Sequence, residues 1–197
     1  MPSPVTPAPG AASAPVPRRL LGFLDQISTA MAYLGGAFLL AVSFYITVDV
    51  LGRKFVGVSS AATDEIGGYA LAVGGLWALG FCLTTGAHVR IDVLLPHFPA
   101  RLREVLNYAA LVLLTAFAAI VAWYSWKLAL ESATTDARAM SFLRTPLVLP
   151  QTAMALGFTL FAIQGAVMFL VGATESVRAR RLAPLPVLPV EGLTEGL

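Results

Sequence analysis

The chain has 197 residues, of which 57% are hydrophobic and 12% are charged, and its mean hydropathy is +0.78. Because soluble domains carry about 25% charged residues, this composition indicates an integral membrane protein, and the length allows one compact bundle. The net charge of +2 is too small to indicate binding to nucleic acid, and no run of basic residues is long enough to hold a phosphate backbone. The single cysteine, Cys82, excludes an internal disulfide and a cluster of thiolate metal ligands.

Both ends of the chain are rich in proline. Six of residues 2–17 are proline and none of these residues is charged, so we expect residues 1–19 to form a disordered tail. A second tail, basic and then Pro-rich, is expected over residues 177–197. Residues 20–27 mix apolar side chains with Asp25 and follow two arginines. This pattern favours a short helix lying along the membrane surface before the first span.

Between the tails, residues 20–176 contain four long stretches without charged side chains. A helix needs about 20 apolar residues to cross a hydrocarbon core of about 30 Å, because all its backbone groups must be paired within the segment. The predicted fold is therefore all-α, with four transmembrane helices in one bundle. The predicted spans cover residues 27–50, 65–87, 105–126 and 150–174. Two prolines divide the linker between the second and third spans, where we expect another short interfacial helix.

Charged residues mark the ends of the spans. Asp49 and Arg53 are four residues apart, so they can pair on one helical face. Asp64 and Glu65 open the second span, where negative charge suits the positive end of the helix dipole. These four side chains are candidates for polar contacts within the bundle or with another subunit.

A row of small residues follows one face of the second span. Its members are Gly67, Ala70, Gly74, Ala78 and Cys82. Helices in lipid associate by close backbone approach, and such rows mark the faces that make this contact. We therefore expect the second span to be the central helix, packed against a neighbour in this chain or in another.

The third span ends in an aromatic cluster, Trp123 to Trp126, which is typical of a membrane–water interface. Basic residues near the span ends predict the orientation of the chain. With the N-terminus in the cytoplasm, eight basic residues lie inside and five outside, so we expect both termini to be cytoplasmic. The five outer residues are Arg53, Lys54, Lys127, Arg138 and Arg144.

The residue types exclude several classes of membrane enzyme. Haem b needs axial histidines inside the spans, whereas His88 and His97 both lie in the linker after the second span. A thiol oxidoreductase needs two cysteines, and this chain has one. Intramembrane proteolysis needs a buried nucleophile with its base, or paired aspartates, and the predicted spans contain neither a histidine nor a pair of aspartates. We therefore expect no enzyme activity and no bound cofactor or metal.

A charged run, His88-Val-Arg90-Ile-Asp92, follows the second span. It has two interpretations, which the residues alone do not separate. One is a recognition patch for another subunit, and the other is an ordinary charged stop at the cytoplasmic surface.

Three groups of residues carry a family resemblance. They are Arg53…Gly57…Asp64-Glu65, then Gly86-Ala87-His88-Val89-Arg90-Ile91-Asp92, and Thr145-Pro146…Pro150-Gln151. In their order and spacing, residues 20–175 resemble the small membrane subunit, of the DctQ type, of tripartite ATP-independent periplasmic (TRAP) transporters. Members of that family often have a tryptophan just before the acidic pair, where this chain has Ala62-Thr63.

The resemblance implies a non-catalytic subunit of the bacterial inner membrane that scaffolds a large membrane subunit. The large subunit would carry the substrate and sodium sites, and a periplasmic binding protein would deliver an organic anion, often a carboxylate. Two alternatives stay open: a membrane anchor of another complex, such as a respiratory one, and a self-sufficient small carrier. The charge-free, continuous predicted spans argue against the carrier, because substrate sites usually need ionisable groups at mid-depth or broken helices.

Overall fold

The computed structural model describes residues 16–58, 60–86 and 98–179, together with Leu185. Over these residues the chain forms four α-helices, each long and apolar enough to cross a membrane. They are α1 (Val16–Phe55), α2 (Thr63–Thr84), α3 (Ala100–Thr134) and α4 (Val148–Ala179). The prediction of an all-α fold with four spans is confirmed.

α1 extends further than the predicted first span. Its 40 residues begin at Val16, before the expected end of the Pro-rich tail. The prediction of a separate interfacial helix over residues 20–27 is wrong, because these residues continue α1. Leu21 and Leu24 are buried in the core of the bundle. The segment therefore packs against the other helices instead of lying on the membrane surface.

The ends of the other helices also differ from the predicted spans. α2 ends at Thr84 rather than near residue 87, and Gly86 follows with a φ of 70°. Glycine adopts this left-handed conformation without the steric cost of a side chain. α3 and α4 both extend beyond the charge-free stretches from which their spans were predicted. The second predicted interfacial helix falls mainly on residues 87–97, which lie outside the described residues.

α4, and not α2, is the central helix of the bundle. It packs against α1, α2 and α3, whereas α3 packs principally against α4. Three glycines of α4 allow α2 and α3 to approach closely, because a Cβ at each position would meet a side chain of the neighbouring helix. The pairs are Gly157 with Trp77 of α2, Gly165 with Thr115 of α3, and Gly172 with Tyr108 of α3. The prediction that the second span is central is wrong, because α4 packs against all three other helices whereas α2 packs principally against α1 and α4.

The contact between α1 and α2 brings two backbones together. A Cβ added to Gly74 would lie 3.1 Å from the carbonyl oxygen of Gly35, and one added to Gly35 would lie 3.1 Å from the Cα of Gly74. Elsewhere on α2, a Cβ on Gly68 or Gly75 would meet no atom of the described residues within 4 Å. One face of α2 is therefore covered by α1. Another face includes Gly68 and Gly75, and we call it the open face.

We expect the substitution Gly74→Leu to destabilise the fold by about 1–3 kcal/mol, the usual cost of overpacking a tight contact. Gly75→Leu is the matched control, since it makes the same chemical change one residue later, where the new side chain enters open space. The measurement is the midpoint of unfolding in a titration with sodium dodecyl sulfate, followed by circular dichroism. Equal midpoints for the two variants would contradict the close α1–α2 contact.

Candidate functional site

Asp49 and its neighbours join α1 to the start of α2. The expected pair forms, with Arg53 Nη2 3.8 Å from Asp49 Oδ2. Asp49 Oδ1 also accepts a hydrogen bond from the backbone N–H of Ser60, and the Ser60 hydroxyl accepts one from Tyr45 at 2.7 Å. The side chain of Asp49 is 6% exposed and that of Arg53 is 60% exposed. Asp49 therefore holds the α1–α2 connection, while much of the Arg53 side chain faces outward.

The acidic pair at the start of α2 divides into two environments. Glu65 accepts hydrogen bonds from the Tyr69 hydroxyl at 2.9 Å and from the Ser141 hydroxyl. Asp64, the adjacent residue, is exposed. Because Ser141 lies in the connection between α3 and α4, Glu65 joins two parts of the bundle that are 76 residues apart in the sequence.

The connection held by Glu65 is a short hairpin, residues 136–147. Two backbone hydrogen bonds of 3.0 Å close it, and the chain turns at Arg144, whose φ of 48° is left-handed. The bonds run from the N–H of Ala139 to the carbonyl of Thr145 and from the N–H of Leu147 to the carbonyl of Ala137. The hairpin is therefore a defined turn, fixed to the start of α2 by a side-chain hydrogen bond.

A polar cluster inside the bundle joins α1, α2 and α4. The Ser28 hydroxyl donates a 2.8 Å hydrogen bond to Oε1 of Gln164, and both residues are fully buried. Gly80 makes room for this pair, since a Cβ there would lie 2.7 Å from the Ser28 Oγ. One helical turn away, the Thr84 hydroxyl donates a 2.6 Å hydrogen bond to Asp25. Three of the four helices are thereby tied together by side chains.

The sequence patterns do not predict this cluster. They place Asp25 at the membrane surface and give Gln164 no role. Two signals point to it: Asp25 and Ser28 lie at helical spacing from the buried Leu21 and Leu24, and Gln164 is the one amide in a long apolar stretch. A polar group buried in a span needs a partner, but the sequence does not say which helix supplies it.

The other predicted residues of α2 contribute to packing inside the chain. A Cβ on Gly67 would lie 3.2 Å from Cδ1 of Ile46 in α1, and Ala70 is fully buried. Ala78 is half-buried. Together with Gly74, these positions place most of the small-residue row within the bundle.

The charged run after α2 is not described by the structure. His88, Arg90 and Asp92 lie outside the described residues, so both interpretations of the run remain predictions. Among the described residues, no group of three or more histidine, cysteine, aspartate or glutamate side chains is placed to hold a metal ion.

We expect Glu65→Ala to loosen the hairpin. Without the hydrogen bond from Ser141 the hairpin should open more often, so the backbone amides of Ala139 and Leu147 should exchange with deuterium about three- to tenfold faster. Asp64→Ala, which removes an exposed carboxylate from the adjacent position, is the matched control and should leave these rates unchanged. Hydrogen–deuterium exchange mass spectrometry measures both variants. Unchanged rates in Glu65→Ala would show that the backbone bonds hold the hairpin without Glu65.

The family model described as "Tripartite ATP-independent periplasmic transporters, DctQ component" matches residues 42–175, which is more than half of the chain. No curated protein and no solved structure matches the chain. The matched range includes Asp49, Arg53, Glu65 and the hairpin, whereas Asp25 and Ser28 lie before it. The chain therefore belongs to the DctQ family, the small membrane component of TRAP transporters.

Proposed function

We propose that this chain is the non-catalytic small membrane subunit of a TRAP transporter in the bacterial inner membrane, where it scaffolds the large membrane subunit. The family match over α2, α3, α4 and the last part of α1 carries the proposal. In this assignment the large subunit holds the substrate and sodium sites, and a periplasmic binding protein delivers an organic anion such as a carboxylate. The small subunit itself binds no cofactor or metal.

The packing of the bundle supports a scaffolding role. Side-chain hydrogen bonds join different helices of the bundle, as from Ser28 to Gln164 and from Trp77 to the carbonyl of Ala153. Such bonds fix helices relative to one another. A subunit built in this way suits a static support, while the moving parts that carry the substrate belong to the partner.

We further propose that the open face of α2 contacts a transmembrane helix of the large subunit. Gly68 and Gly75 lie on this face, and Asp64 is exposed near its end. Small side chains allow another helix to approach closely, and the exposed carboxylate of Asp64 suits a basic side chain at the end of that helix. The side chain of Arg53 pairs with Asp49 but is largely exposed, so it can also meet an acidic group of the partner.

The distribution of basic residues supports an orientation with both termini in the cytoplasm. The hairpin and the α1–α2 connection then lie on the periplasmic side, where the binding protein arrives. The cluster of Asp25, Ser28 and Gln164 lies toward the cytoplasmic side.

Co-purification tests the assignment as a transporter subunit. With an affinity tag on this chain, expressed in its native bacterium and extracted in mild detergent, we expect a large polytopic membrane protein to be recovered with it. Mass spectrometry identifies the partner, and absorbance spectra detect any haem or flavin. Recovery of the chain alone would contradict the proposal, and recovery with a haem- or flavin-bearing partner would favour the respiratory anchor.

A second experiment tests the open face. Gly75→Leu should remove most of the co-purifying large subunit while leaving the unfolding midpoint unchanged, because the new side chain enters open space in the isolated bundle. Gly36→Leu is the control, since Gly36 also has nothing within 4 Å of an added Cβ but lies on α1. If both variants retain the partner, the large subunit binds elsewhere.

A further inference from the structure

The hairpin between α3 and α4 has an apolar tip that the described part of the chain leaves uncovered. Met140 is fully exposed, Phe142 is 78% exposed and Leu143 is 44% exposed. The turn that carries them is fixed by its backbone hydrogen bonds and by the bond from Ser141 to Glu65. Large apolar side chains held outward on a defined turn indicate a contact surface.

The bond to Glu65 sets the depth of this tip. From Glu65 to Thr84, α2 is about 30 Å long at 1.5 Å per residue, which equals the thickness of a hydrocarbon core. No charged residue follows Glu65 in α2. Glu65 therefore lies at the boundary of the hydrocarbon, and Ser141 is held beside it. Met140 and Phe142, which flank Ser141, are held at the same depth.

α3 and the hairpin also carry aromatic and cationic side chains of the kinds found at a membrane interface. Trp123 and Tyr124 of α3 are exposed, and the Lys127 ammonium lies 5.5 Å and 5.8 Å from the centres of their rings. Arg138 and Arg144 are exposed on the two arms of the hairpin, and Arg138 also pairs with Asp136 at 3.3 Å. Aromatic rings with cations beside them at the end of a span are typical of the headgroup layer.

The surface that leads to the hairpin is of the kind that faces lipid. α3 packs principally against α4 and presents large apolar side chains outward, among them Leu113, Phe117 and Ile120. Contacts between membrane helices favour small side chains instead. The tip of the hairpin continues the bulky surface of α3, so lipid suits it better than another helix does.

We propose that the hairpin is a lipid-binding wedge. Met140 and Phe142 enter the boundary between acyl chains and headgroups, and Arg138 and Arg144 donate hydrogen bonds to lipid phosphate oxygens. The wedge holds the α3–α4 connection at the membrane surface, at the depth that its bond to Glu65 gives it. This role does not depend on which complex the chain joins, so it goes beyond the function proposed above.

The depth of Met140 tests the proposal. In a Cys82→Ser background, Met140→Cys is labelled with nitrobenzoxadiazole, and the full chain is placed in vesicles of phosphatidylcholine and phosphatidylglycerol that contain a spin-labelled lipid. We expect the strongest quenching when the spin label lies near the headgroup. Leu113→Cys, in the middle of α3, is the control, and there a label deep in the acyl chain should quench most strongly.

Two outcomes would overturn the wedge. Quenching by aqueous iodide without quenching by lipid would show that the tip faces water. Loss of lipid quenching on binding of the large subunit would show that a protein surface covers the tip. Leu143→Cys serves as a second reporter if the Met140 variant fails to fold.

The anchoring side chains are tested in the same assay. The triple variant Phe142→Ser, Arg138→Gln and Arg144→Asn should lower quenching by the shallow label at least about twofold, since it removes both the apolar and the phosphate contacts. Asparagine is chosen at Arg144 because it tolerates a positive φ. Phe55→Ser is the control, because Phe55 is 75% exposed at the end of α1, outside the hairpin. Unchanged quenching in the triple variant would remove these side chains from the proposal.

Discussion

Close approach of helix backbones is the constraint on which this bundle depends, because lipid tails remove the hydrophobic driving force that packs helices in water. α4 meets the constraint with glycines at positions 157, 165 and 172, each of which receives a side chain from a neighbouring helix. Between α1 and α2, Gly35 and Gly74 bring the two backbones together directly. None of these positions has a side chain that could move aside. The packing of the helices therefore depends on a few residues without a Cβ.

Polar side chains then fix the helices along their length. At one end of α2, Thr84 bonds to Asp25 of α1, and at the other end Glu65 bonds to Ser141 of the hairpin. The contact at Gly74 lies between these two bonds. An unpaired polar group in hydrocarbon costs more free energy than one in water, so these bonds oppose sliding of α2 against its neighbours. α2 is thus held by contacts at three levels along its length, while the described part of the chain leaves its open face uncovered.

The sequence predicts the features that depend on local spacing. Four charge-free stretches indicate four helices, and the four-residue step from Asp49 to Arg53 indicates their pair, because both arguments need only the geometry of one helix. Features that depend on distant residues are not predictable in this way. Ser28 and Gln164 are 136 residues apart, and nothing in either segment identifies the other as its hydrogen-bond partner.

The row of Gly67, Ala70 and Gly74 shows which face of α2 is close-packed, but it does not show that α1 packs against this face or that α4 is central. Residues 20–27 have the composition of a surface helix and instead continue α1, because Leu21 and Leu24 find partners in the core.

The unequal lengths of α1 and α2 shape one end of the molecule. Thr84, the last residue of α2, bonds to Asp25, so residues 16–24 of α1 continue past the end of α2 by about 13 Å at 1.5 Å per residue. α3 and α4 also continue on that side, where Tyr108 meets Gly172 and Ser176. α2 is thus the first of the helices to end on this side of the bundle. At Gly86 the chain therefore leaves α2 before the level that the ends of its neighbours reach.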